Sequence, residues 1–450
     1  MSQKLFGTDG VRGLANREPI TAASALKLAQ AAVRVLAHEE SCPKVVIGRD
    51  TRASGELLES AIAAGLASCG AEVLLAGIIP TPAVAYLTRN YHATFGVTIS
   101  ASHNPYEDNG IKFFGPTGYK LSDESESAIE FEFDRSGSWT LPTGKGVGRI
   151  CRAEGSTEAY AAFAVATFPE GLSLRGVKIA VDAANGAAYV TTPMVLAHLG
   201  AQVQLHGATP DGFNINACCG STHPESLSEL VLKSGAAFGI AHDGDADRLL
   251  LCDEKGVPLD GDELLAIASV DLIRRNQLKR NTVVATVMSN FGLDDLLRQH
   301  GGSVLRTPVG DRFVADALVQ HDLNLGGEQS GHIVFRDFAT TGDGLISALQ
   351  MIAVILRTGK PLSELRRILS RYPQLLRNVT VREKRPFGEI GPVLARLREA
   401  ELLLNGKGRV MLRYSGTELK ARLLLEGPDA DELKKHADAI VEELVRSIGV

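Results

Sequence analysis

The stretch PKVVIGRDTRASGELLESAIAAGLASCGAEVLLAGIIPTP, residues 43–82, decides the fold class. It begins with a short β-branched run that ends in a polar loop, as a buried strand does. A helical face follows, marked by apolar side chains at helical spacing: Leu58, Ile62, Leu66 and Cys69. Gly70 ends the helix before a second apolar strand. The stretch therefore predicts a βαβ unit.

The same succession of strand, loop, helix, glycine and strand returns in residues 177–211 and 282–311. Gly200 and Gly301 stand where Gly70 stands in the first copy. Because βαβ units are common, chance recurrence is the alternative, but the matched glycine favours a repeat. We therefore predict three related α/β domains.

The last part of the chain has a different pattern. A strand and a helix precede the hairpin-like GRVMLRYSGTELKARLLLEG (408–427), and Asp429 opens a final amphipathic helix. This order predicts a smaller α+β domain. We expect three related α/β domains and this C-terminal domain around a central cleft, with bounds at 1–150, 151–253, 254–368 and 369–450.

Composition excludes several classes of protein. The 450 residues are 44% hydrophobic and 22% charged, with a net charge of -6, which is typical of a multidomain globular chain. No long basic run indicates nucleic acid, and no apolar run reaches the roughly 18 residues of a membrane span. MSQKLFGTDG lacks an apolar signal core, and the six cysteines lack metal spacing. We expect free thiols, a cytoplasmic location, and neither nucleic acid nor membrane as partner.

The stretch HDGDADR, residues 242–248, indicates a metal site. Asp243, Asp245 and Asp247 alternate, and on an extended backbone alternate side chains point the same way. Two carboxylates about 4 Å apart repel by roughly 4 kcal/mol at an effective dielectric of 20, so three need a cation. Oxygen ligands favour Mg²⁺ over Zn²⁺. A calcium EF-hand would need glycine where Arg248 stands; an acidic surface loop is the other alternative.

Ser102 stands in ISASHNP, residues 99–105, where an apparent strand meets a turn. It is either a structural serine or a nucleophile. The GxSxG pattern of a nucleophile elbow is absent, and we expect that the neighbouring His103 cannot easily turn back to activate it.

RYSGTE, residues 413–418, lies at an apparent hairpin turn and suggests a phosphate site. The candidate phosphate ligands are Arg413, Ser415, Gly416, Thr417 and, from the next strand, Arg422. Arginine offers a bidentate fork and the hydroxyls and amide form a nest. Ordinary turn chemistry is the alternative.

Two glycine-rich stretches and one charged stretch are the remaining candidates. GGEQSGH, residues 326–332, offers Glu328 and Ser330 for sugar hydroxyls, but a solvated loop fits equally well. FGTDGVRG, residues 6–13, carries Arg12 and could equally be a flexible terminus. GRDTR, residues 48–52, has an ion pair at a strand end as its plain interpretation.

Four motifs lie in order along the chain: TISASHNP, DGDADR, GEQSGH and RYSGTE. Because these motifs and their order match those of the phosphohexomutase superfamily, the sequence resembles that superfamily over its whole length. GEQSGH and the opening LFGTDGVRG resemble the branch that acts on glucosamine phosphates. One departure is that Leu419 and Lys420 follow SGTE where the family has a proline before its second arginine.

The resemblance implies a reaction. Ser102 would carry a phosphoryl group and, with Asp243, Asp245 and Asp247, bind one Mg²⁺ per subunit. Glucosamine 6-phosphate and glucosamine 1-phosphate would interconvert through glucosamine 1,6-bisphosphate, which is also the activator, to supply UDP-N-acetylglucosamine and the cell wall. The partner is then a small sugar phosphate and the chain a monomer or homodimer.

The resemblance also assigns roles to single residues. Lys112 and His332 are candidates for proton transfer, and Arg12 and Arg248 for charge stabilisation. The expected substrate-binding residues are Glu328, Ser330, His103, Arg413, Ser415, Gly416, Thr417 and Arg422. Glucose or mannose phosphates by the same mechanism, a serine-based sugar phosphatase, and a non-catalytic sugar-phosphate sensor remain alternatives.

Overall fold

The computed structural model describes residues 5–7, 9–38, 40–135, 139–415 and 418–450. Their contacts divide the chain into two compact units, Met1–Met288 with Val304–Arg367, and Ser289–Ser303 with Ile368–Val450. Within the described part, no single helix is long and apolar enough to cross a membrane; only the pair Gly344–Thr358 and Leu362–Ile368, bent by 91°, meets that test when joined. All six cysteines are free thiols.

The first sheet has six strands in the order β1-β5-β4-β2-β3-β6. The strands are β1 (Val11–Leu14), β2 (Lys44–Arg49), β3 (Glu72–Ile78), β4 (Phe95–Ile99), β5 (Asp108–Phe114) and β6 (Ile150–Arg152). The helices of this part are α1 (Ala22–Leu36), α2 (Ser54–Ser68), α3 (Thr81–Asn90) and α4 (Asp123–Asp134). β2 pairs in parallel with β3 and β4, whereas β5 runs antiparallel to β4. The βαβ prediction is confirmed: Leu58, Ile62 and Leu66 of α2 are buried.

The second sheet has the order β11-β10-β9-β7-β8. Its strands are β7 (Lys178–Asp182), β8 (Gln202–His206), β9 (Phe238–Ala241), β10 (Leu250–Cys252) and β11 (Pro258–Leu259). The helices of this part are α5 (Ser156–Ala166), α6 (Thr191–His198) and α7 (Pro224–Ser234).

The third sheet has the order β13-β12-β14-β15. Its strands are β12 (Thr282–Thr286), β13 (Ser303–Thr307), β14 (Leu325–Gly327) and β15 (Ile333–Phe335). The helices along this part of the chain are α8 (Gly261–Arg274), α9 (Gly292–Gln299), α10 (Asp311–Gln320), α11 (Gly344–Thr358) and α12 (Leu362–Leu365). α9 falls within the second unit.

The three sheets share one strand order. Numbered within each repeat, the strands lie as fourth, third, first and second: β5-β4-β2-β3, β10-β9-β7-β8 and β15-β14-β12-β13. The repeat glycines Gly70, Gly200 and Gly301 all have positive φ, of 94°, 99° and 74°. The predicted three related α/β domains are thereby confirmed.

The common order puts three loops at equivalent places. The first and third strands of each repeat are neighbours and parallel, and the chain leaves the third strand at its carboxyl end. Ligand sites of open α/β sheets lie at this switch in strand order. The loops that follow β4, β9 and β14 contain Ser102, the three aspartates and Glu328, respectively.

The second unit contains the predicted α+β domain. Its antiparallel sheet has the order β16-β18-β17, formed by β16 (Gln374–Thr380), β17 (Arg409–Tyr414) and β18 (Lys420–Glu426). Its helices are α13 (Gly391–Leu404) and α14 (Ala430–Ile448). Asp429 caps α14 by accepting from the backbone N–H groups of Asp431 and Glu432, so the predicted start of this helix is confirmed, and α14 buries Leu433, Ile440 and Leu444.

Two of the expected domain bounds differ from the sheet pairing. β6 extends past residue 150 and pairs with β3 of the first sheet. β11 lies past residue 253 and pairs with β10 of the second sheet. Both are short edge strands, which carry a weak sequence signal. The four-domain division itself stays a prediction.

A buried carboxyl, Asp343, caps α11 within the first unit. It accepts from the backbone N–H of Ile346 at 2.9 Å and from the Tyr160 hydroxyl at 2.9 and 3.0 Å. Burial, which outweighs these hydrogen bonds, raises the pKa of Asp343 from 3.8 to about 6. The native state therefore binds a proton that the unfolded chain has released between these two values, and its stability falls as pH rises through that window.

We predict that Asp343→Asn gains stability relative to the wild type as pH rises. The amide oxygen still caps α11, and no charge is buried. The difference in free energy of unfolding should shift by roughly 2 kcal/mol in the variant's favour between pH 4.5 and 7.5. Urea unfolding at both pH values measures it, with Asp429→Asn, at an exposed cap, as control. A difference that is constant with pH contradicts the prediction.

Candidate active site

Ser102 lies in the tight loop after β4. Its backbone is left-handed, with φ at 52°, a conformation that non-glycine residues rarely adopt outside functional or strained positions. Its N–H donates to the Ser100 hydroxyl at 2.9 Å. The side chain is buried, and its Oγ donates to Asp243 Oδ2 at 2.6 Å. The loop thus aims the serine at the aspartate loop.

His103 does turn back toward Ser102, so the expectation that it could not is wrong. Its Nδ1 lies 3.2 Å from Ser102 Oγ, because the left-handed residue curls the loop. Burial, aided by the positive charges of Arg248 and Arg12, lowers the pKa of His103 to about 4. The ring is therefore neutral at pH 7 and is a weak base.

Two side chains that were not candidate site residues hold the serine loop. Arg52 donates from Nη2 to the carbonyl oxygens of Ser102 and Asn104, at 3.1 and 2.6 Å. Asn216 donates from Nδ2 to the same two oxygens, at 2.9 and 3.1 Å. Arg52 is fully buried and paired with Asp50, so the ion pair in GRDTR exists and also supports the site.

Asp243, Asp245 and Asp247 lie together, but not on an extended strand. The chain turns after β9, and Ala246 has a left-handed φ of 58°. The prediction that an extended strand points the three side chains the same way is therefore wrong. The turn brings the carboxylates together instead. Each offers an oxygen within 4.8 Å of the others, and all three residues are buried.

The three carboxyl groups of this cluster differ in pKa. Burial, followed by repulsion from Asp245, raises the pKa of Asp243 to about 6 and that of Asp247 to about 7. Burial also opposes ionisation of Asp245, but Lys112 outweighs it through charge and hydrogen bonding, and Thr81 adds a hydrogen bond at 2.7 Å. The pKa of Asp245 is therefore held below its ordinary value.

The cluster has the chemistry of a cation site. Asp245 Oδ1 and Asp247 Oδ1 are buried and have no hydrogen-bond partner. Unpaired buried carboxylate oxygens are unfavourable unless a cation binds them. The ligands are all oxygen, which fits a hard divalent ion. The residues present therefore fit a bound metal.

Positive side chains surround the carboxylates. Lys112 Nζ lies 2.9 Å from Asp245 Oδ2 and 3.9 Å from Asp247 Oδ2. Burial opposes its charge, but the neighbouring carboxylates raise its pKa. Arg248 Nε lies 3.9 Å from both Asp243 Oδ2 and Asp247 Oδ1. Arg12 lies on β1, so it belongs to the first sheet and not to a flexible terminus.

Three further charged residues join this region and escaped sequence reasoning. Asp9 lies 3.0 Å from Lys112 Nζ and pairs with Arg12 and Lys120. Lys120 also pairs with Asp311. Asp9 falls in the glycine-rich stretch 6–13, which the sequence already marks as a candidate. Lys120 and Asp311 are 191 residues apart, and no motif marks either of them as a site residue.

The GGEQSGH loop connects β14 to β15. Glu328 Oε1 accepts from the Gly310 N–H at 3.0 Å, and Ser330 is exposed. Gly331 has φ at 91°, and a Cβ there would lie 2.2 Å from the Leu249 carbonyl oxygen, so glycine is required. His332 is 3% exposed and lies beside the aspartate loop, with Nε2 at 3.9 Å from Asp247 Oδ2.

The candidate phosphate loop lies in the second unit. Arg413 on β17 is directly opposite Arg422 on β18. Two like charges at opposed positions repel unless an anion or carboxylate offsets them. Arg422 Nη2 lies 3.2 Å from Glu418 and donates to Ser415 Oγ at 3.4 Å. Ser415 is buried; Gly416 and Thr417 lie outside the described residues.

The departure after SGTE has a simple structural outcome. Leu419 is 54% exposed, and Lys420 Nζ lies 2.6 Å from Glu418 Oε1 at the start of β18. Neither side chain displaces Arg422 from its position opposite Arg413.

Comparisons with known proteins match the chain along its length. Four domain families of phosphoglucomutase/phosphomannomutase match in order: α/β/α domain I at residues 3–138, α/β/α domain II at 158–256, α/β/α domain III at 260–372 and the C-terminal domain at 376–443. The chain is 50% identical to a phosphoglucosamine mutase of Myxococcus xanthus, over 100% of this chain and 98% of that protein.

Solved structures have the same fold. A phosphoglucomutase/phosphomannomutase family protein of Burkholderia thailandensis has a TM-score of 0.81 at 22% identity, with 100% of both chains covered. An N-acetylphosphoglucosamine mutase of Aspergillus fumigatus, solved with GlcNAc-6P and magnesium, has a TM-score of 0.63 at 18% identity, with 98% and 95% covered.

We predict that a divalent cation stabilises the protein through the aspartate cluster. Mg²⁺ at about one hundred times its Kd should raise the free energy of unfolding by about 2.7 kcal/mol. Asp247→Asn should abolish this gain, while its metal-free form is more stable than the wild type because one buried charge is removed. Thermal unfolding with and without Mg²⁺ measures both effects.

The matched control is Asp438→Asn, which changes a carboxylate that is 57% exposed. It should keep the full response to Mg²⁺. An Asp247→Asn variant that responds to Mg²⁺ like the wild type would place the ion elsewhere.

Proposed function

This chain belongs to the phosphoglucomutase/phosphomannomutase family, and we propose that it interconverts glucosamine 6-phosphate and glucosamine 1-phosphate. It is an isomerase that moves a phosphoryl group. The choice of sugar follows the phosphoglucosamine mutase to which half of the residues are identical over the full length. The product would supply UDP-N-acetylglucosamine for the cell wall, made in the cytoplasm.

The observation that carries the proposal is the contact between Ser102 Oγ and Asp243 Oδ2 at 2.6 Å. It puts the hydroxyl at the edge of the aspartate cluster, so a phosphoryl group on Ser102 would contact the ion that this cluster would bind. A phosphoserine has a charge of about -1.5 to -2, which needs this compensation in a buried site.

Phosphoryl transfer then occurs twice. The Ser102 Oγ–P bond breaks as the sugar O1–P bond forms, and the O1 proton passes, through the proposed proton carriers, to Ser102 Oγ. The product is glucosamine 1,6-bisphosphate. After the bisphosphate reorients, the O6–P bond breaks as the Ser102 Oγ–P bond forms again, the Ser102 proton passes to O6, and glucosamine 1-phosphate leaves. No phosphate is lost in the cycle.

The charged neighbours of Ser102 fit this chemistry. Lys112 has a raised pKa, so it is protonated at neutral pH and can stabilise charge or donate a proton, but is a poor base. Arg248 and Arg12 add positive charge for the transferring group. His332 remains the proposed second proton carrier.

Asp243, Asp245 and Asp247 would hold Mg²⁺, with the Ser102 phosphoryl oxygen as a further ligand. When bound, the ion neutralises negative charge on the transferring phosphoryl group. One ion per subunit stays a prediction, as does a monomer or homodimer.

Binding roles follow from the remaining loops. Glu328 and Ser330 would hold sugar hydroxyls, and His103 would contact the sugar beside Ser102. Arg413, Ser415 and Arg422, with Gly416 and Thr417, would bind the phosphate that is not reacting. Two opposed arginines favour a doubly charged anion over a neutral ligand.

The test is conversion of glucosamine 6-phosphate to its 1-phosphate with Mg²⁺ and a trace of sugar bisphosphate. We expect Ser102→Ala to lose at least 10³-fold in rate, because the phosphoryl carrier is gone. Ser60→Ala, at an exposed position of α2, is the control and should retain full activity. Faster turnover of glucose or mannose phosphates would overturn the sugar, and full activity in Ser102→Ala would overturn the mechanism.

A further inference from the structure

Beside the aspartate cluster lies a second group of metal-ligand side chains. His332, Asp247 and Asp311 each offer an atom within 4.8 Å of the others. They come from three places in the fold: the loop between β14 and β15, the turn after β9, and the first residue of α10. The group shares Asp247 with the first cluster and otherwise differs from it.

His332 gives this group a feature that an acidic cluster alone lacks. It is 97% buried, since its exposure is 3%, and neither ring nitrogen has a hydrogen-bond partner. A buried imidazole ordinarily bonds at least one nitrogen. Its Nε2 lies 3.6 Å from Asp311 Oδ2 and 3.9 Å from Asp247 Oδ2, so it is aimed between two carboxylates.

The ring cannot easily turn away from these carboxylates. Gly342 packs against it so closely that a Cβ at that position would lie 2.4 Å from Nε2. Asp311 is anchored as well: its Oδ1 accepts from the Arg312 N–H at 2.8 Å, and Lys120 pairs with Oδ2. A carboxylate has about four acceptor positions, so capacity for one more partner remains.

We propose that His332, Asp247 and Asp311 form a second metal site, specific for a borderline ion such as Zn²⁺. One imidazole nitrogen and two carboxylate oxygens suit Zn²⁺, whereas Mg²⁺ prefers oxygen alone. Ligands of a tetrahedral zinc ion lie about 3.3–3.6 Å apart, close to the separations from His332 Nε2. The cis ligands of octahedral Mg²⁺ lie only about 2.8–3.0 Å apart.

Three protein ligands leave the fourth tetrahedral position open. Water would take it in the free protein. A phosphate oxygen of the substrate could take it when the sugar is bound. The site therefore binds the ion without being a closed structural zinc site.

The shared Asp247 makes the two sites compete. Two doubly charged ions on one carboxylate repel, and Lys112 and Lys120 already compensate much of the local negative charge. Zn²⁺ should therefore bind more weakly as Mg²⁺ is raised. It should also inhibit the mutase reaction, since it removes a ligand of the first cluster and occupies His332.

The test measures binding and does not depend on turnover or on the identity of the sugar. The chelator-treated full chain is titrated with Zn²⁺ by calorimetry, without and with Mg²⁺. We expect one tight Zn²⁺ in the wild type, at least tenfold weaker binding in His332→Gln and in Asp311→Asn, and weaker binding with added Mg²⁺. Circular dichroism checks that each variant is folded.

Two controls assign the ion to this group. Asp243→Asn breaks the first cluster but leaves all three proposed ligands, so tight Zn²⁺ binding should persist. His321→Gln removes an exposed histidine and should change nothing. Undiminished binding in both His332→Gln and Asp311→Asn, loss of binding in Asp243→Asn, or no tight Zn²⁺ in the wild type would each overturn the proposal. If zinc binds as expected but the zinc-free protein with Mg²⁺ has no mutase activity, only the proposed function is overturned.

Discussion

Repulsion among three buried carboxylates is the constraint on which the rest of the site depends. Asp243, Asp245 and Asp247 converge in one turn, and their burial favours neutral carboxyls over charged ones. Lys112, whose ammonium contacts Asp245, offsets part of this repulsion, and two of the carboxylate oxygens have no hydrogen-bond partner, which suits a cation site. Ser102 is held against the same cluster, so the negative charge of a phosphoryl group on it would be compensated by a cation bound there.

The repeated strand order explains how distant parts of the chain build this site. In each α/β repeat the third strand delivers a loop at the switch in strand order: serine after β4, aspartates after β9 and the glutamate loop after β14. One supersecondary arrangement thus positions all three candidate site loops. Long-range pairs then fix the loops, such as Asn216 to the Ser102 carbonyl and Lys120 to Asp311.

Much of this could be predicted from the sequence, because local patterns carry it. Apolar spacing and exit glycines indicate the three repeats, and alternating aspartates indicate the metal loop. The turn at Ala246 could not be predicted, since alternation fits a strand equally well. Arg52 and Asn216 gave no signal as supports of the serine loop: their hydrogen bonds connect residues 50 and 114 positions apart, and only the fold brings them together.

The role of Ser102 as phosphoryl carrier is best tested by following the phosphoryl group itself. Protein carrying an isotopically labelled phosphoserine is mixed with unlabelled glucosamine 6-phosphate and Mg²⁺, quenched after less than one turnover, and analysed by mass spectrometry. If Ser102 carries the phosphoryl group, the label leaves the peptide containing Ser102 and appears in glucosamine 1,6-bisphosphate, without inorganic phosphate. Label that stays on Ser102 while the sugar is converted, or that leaves as inorganic phosphate, would contradict it.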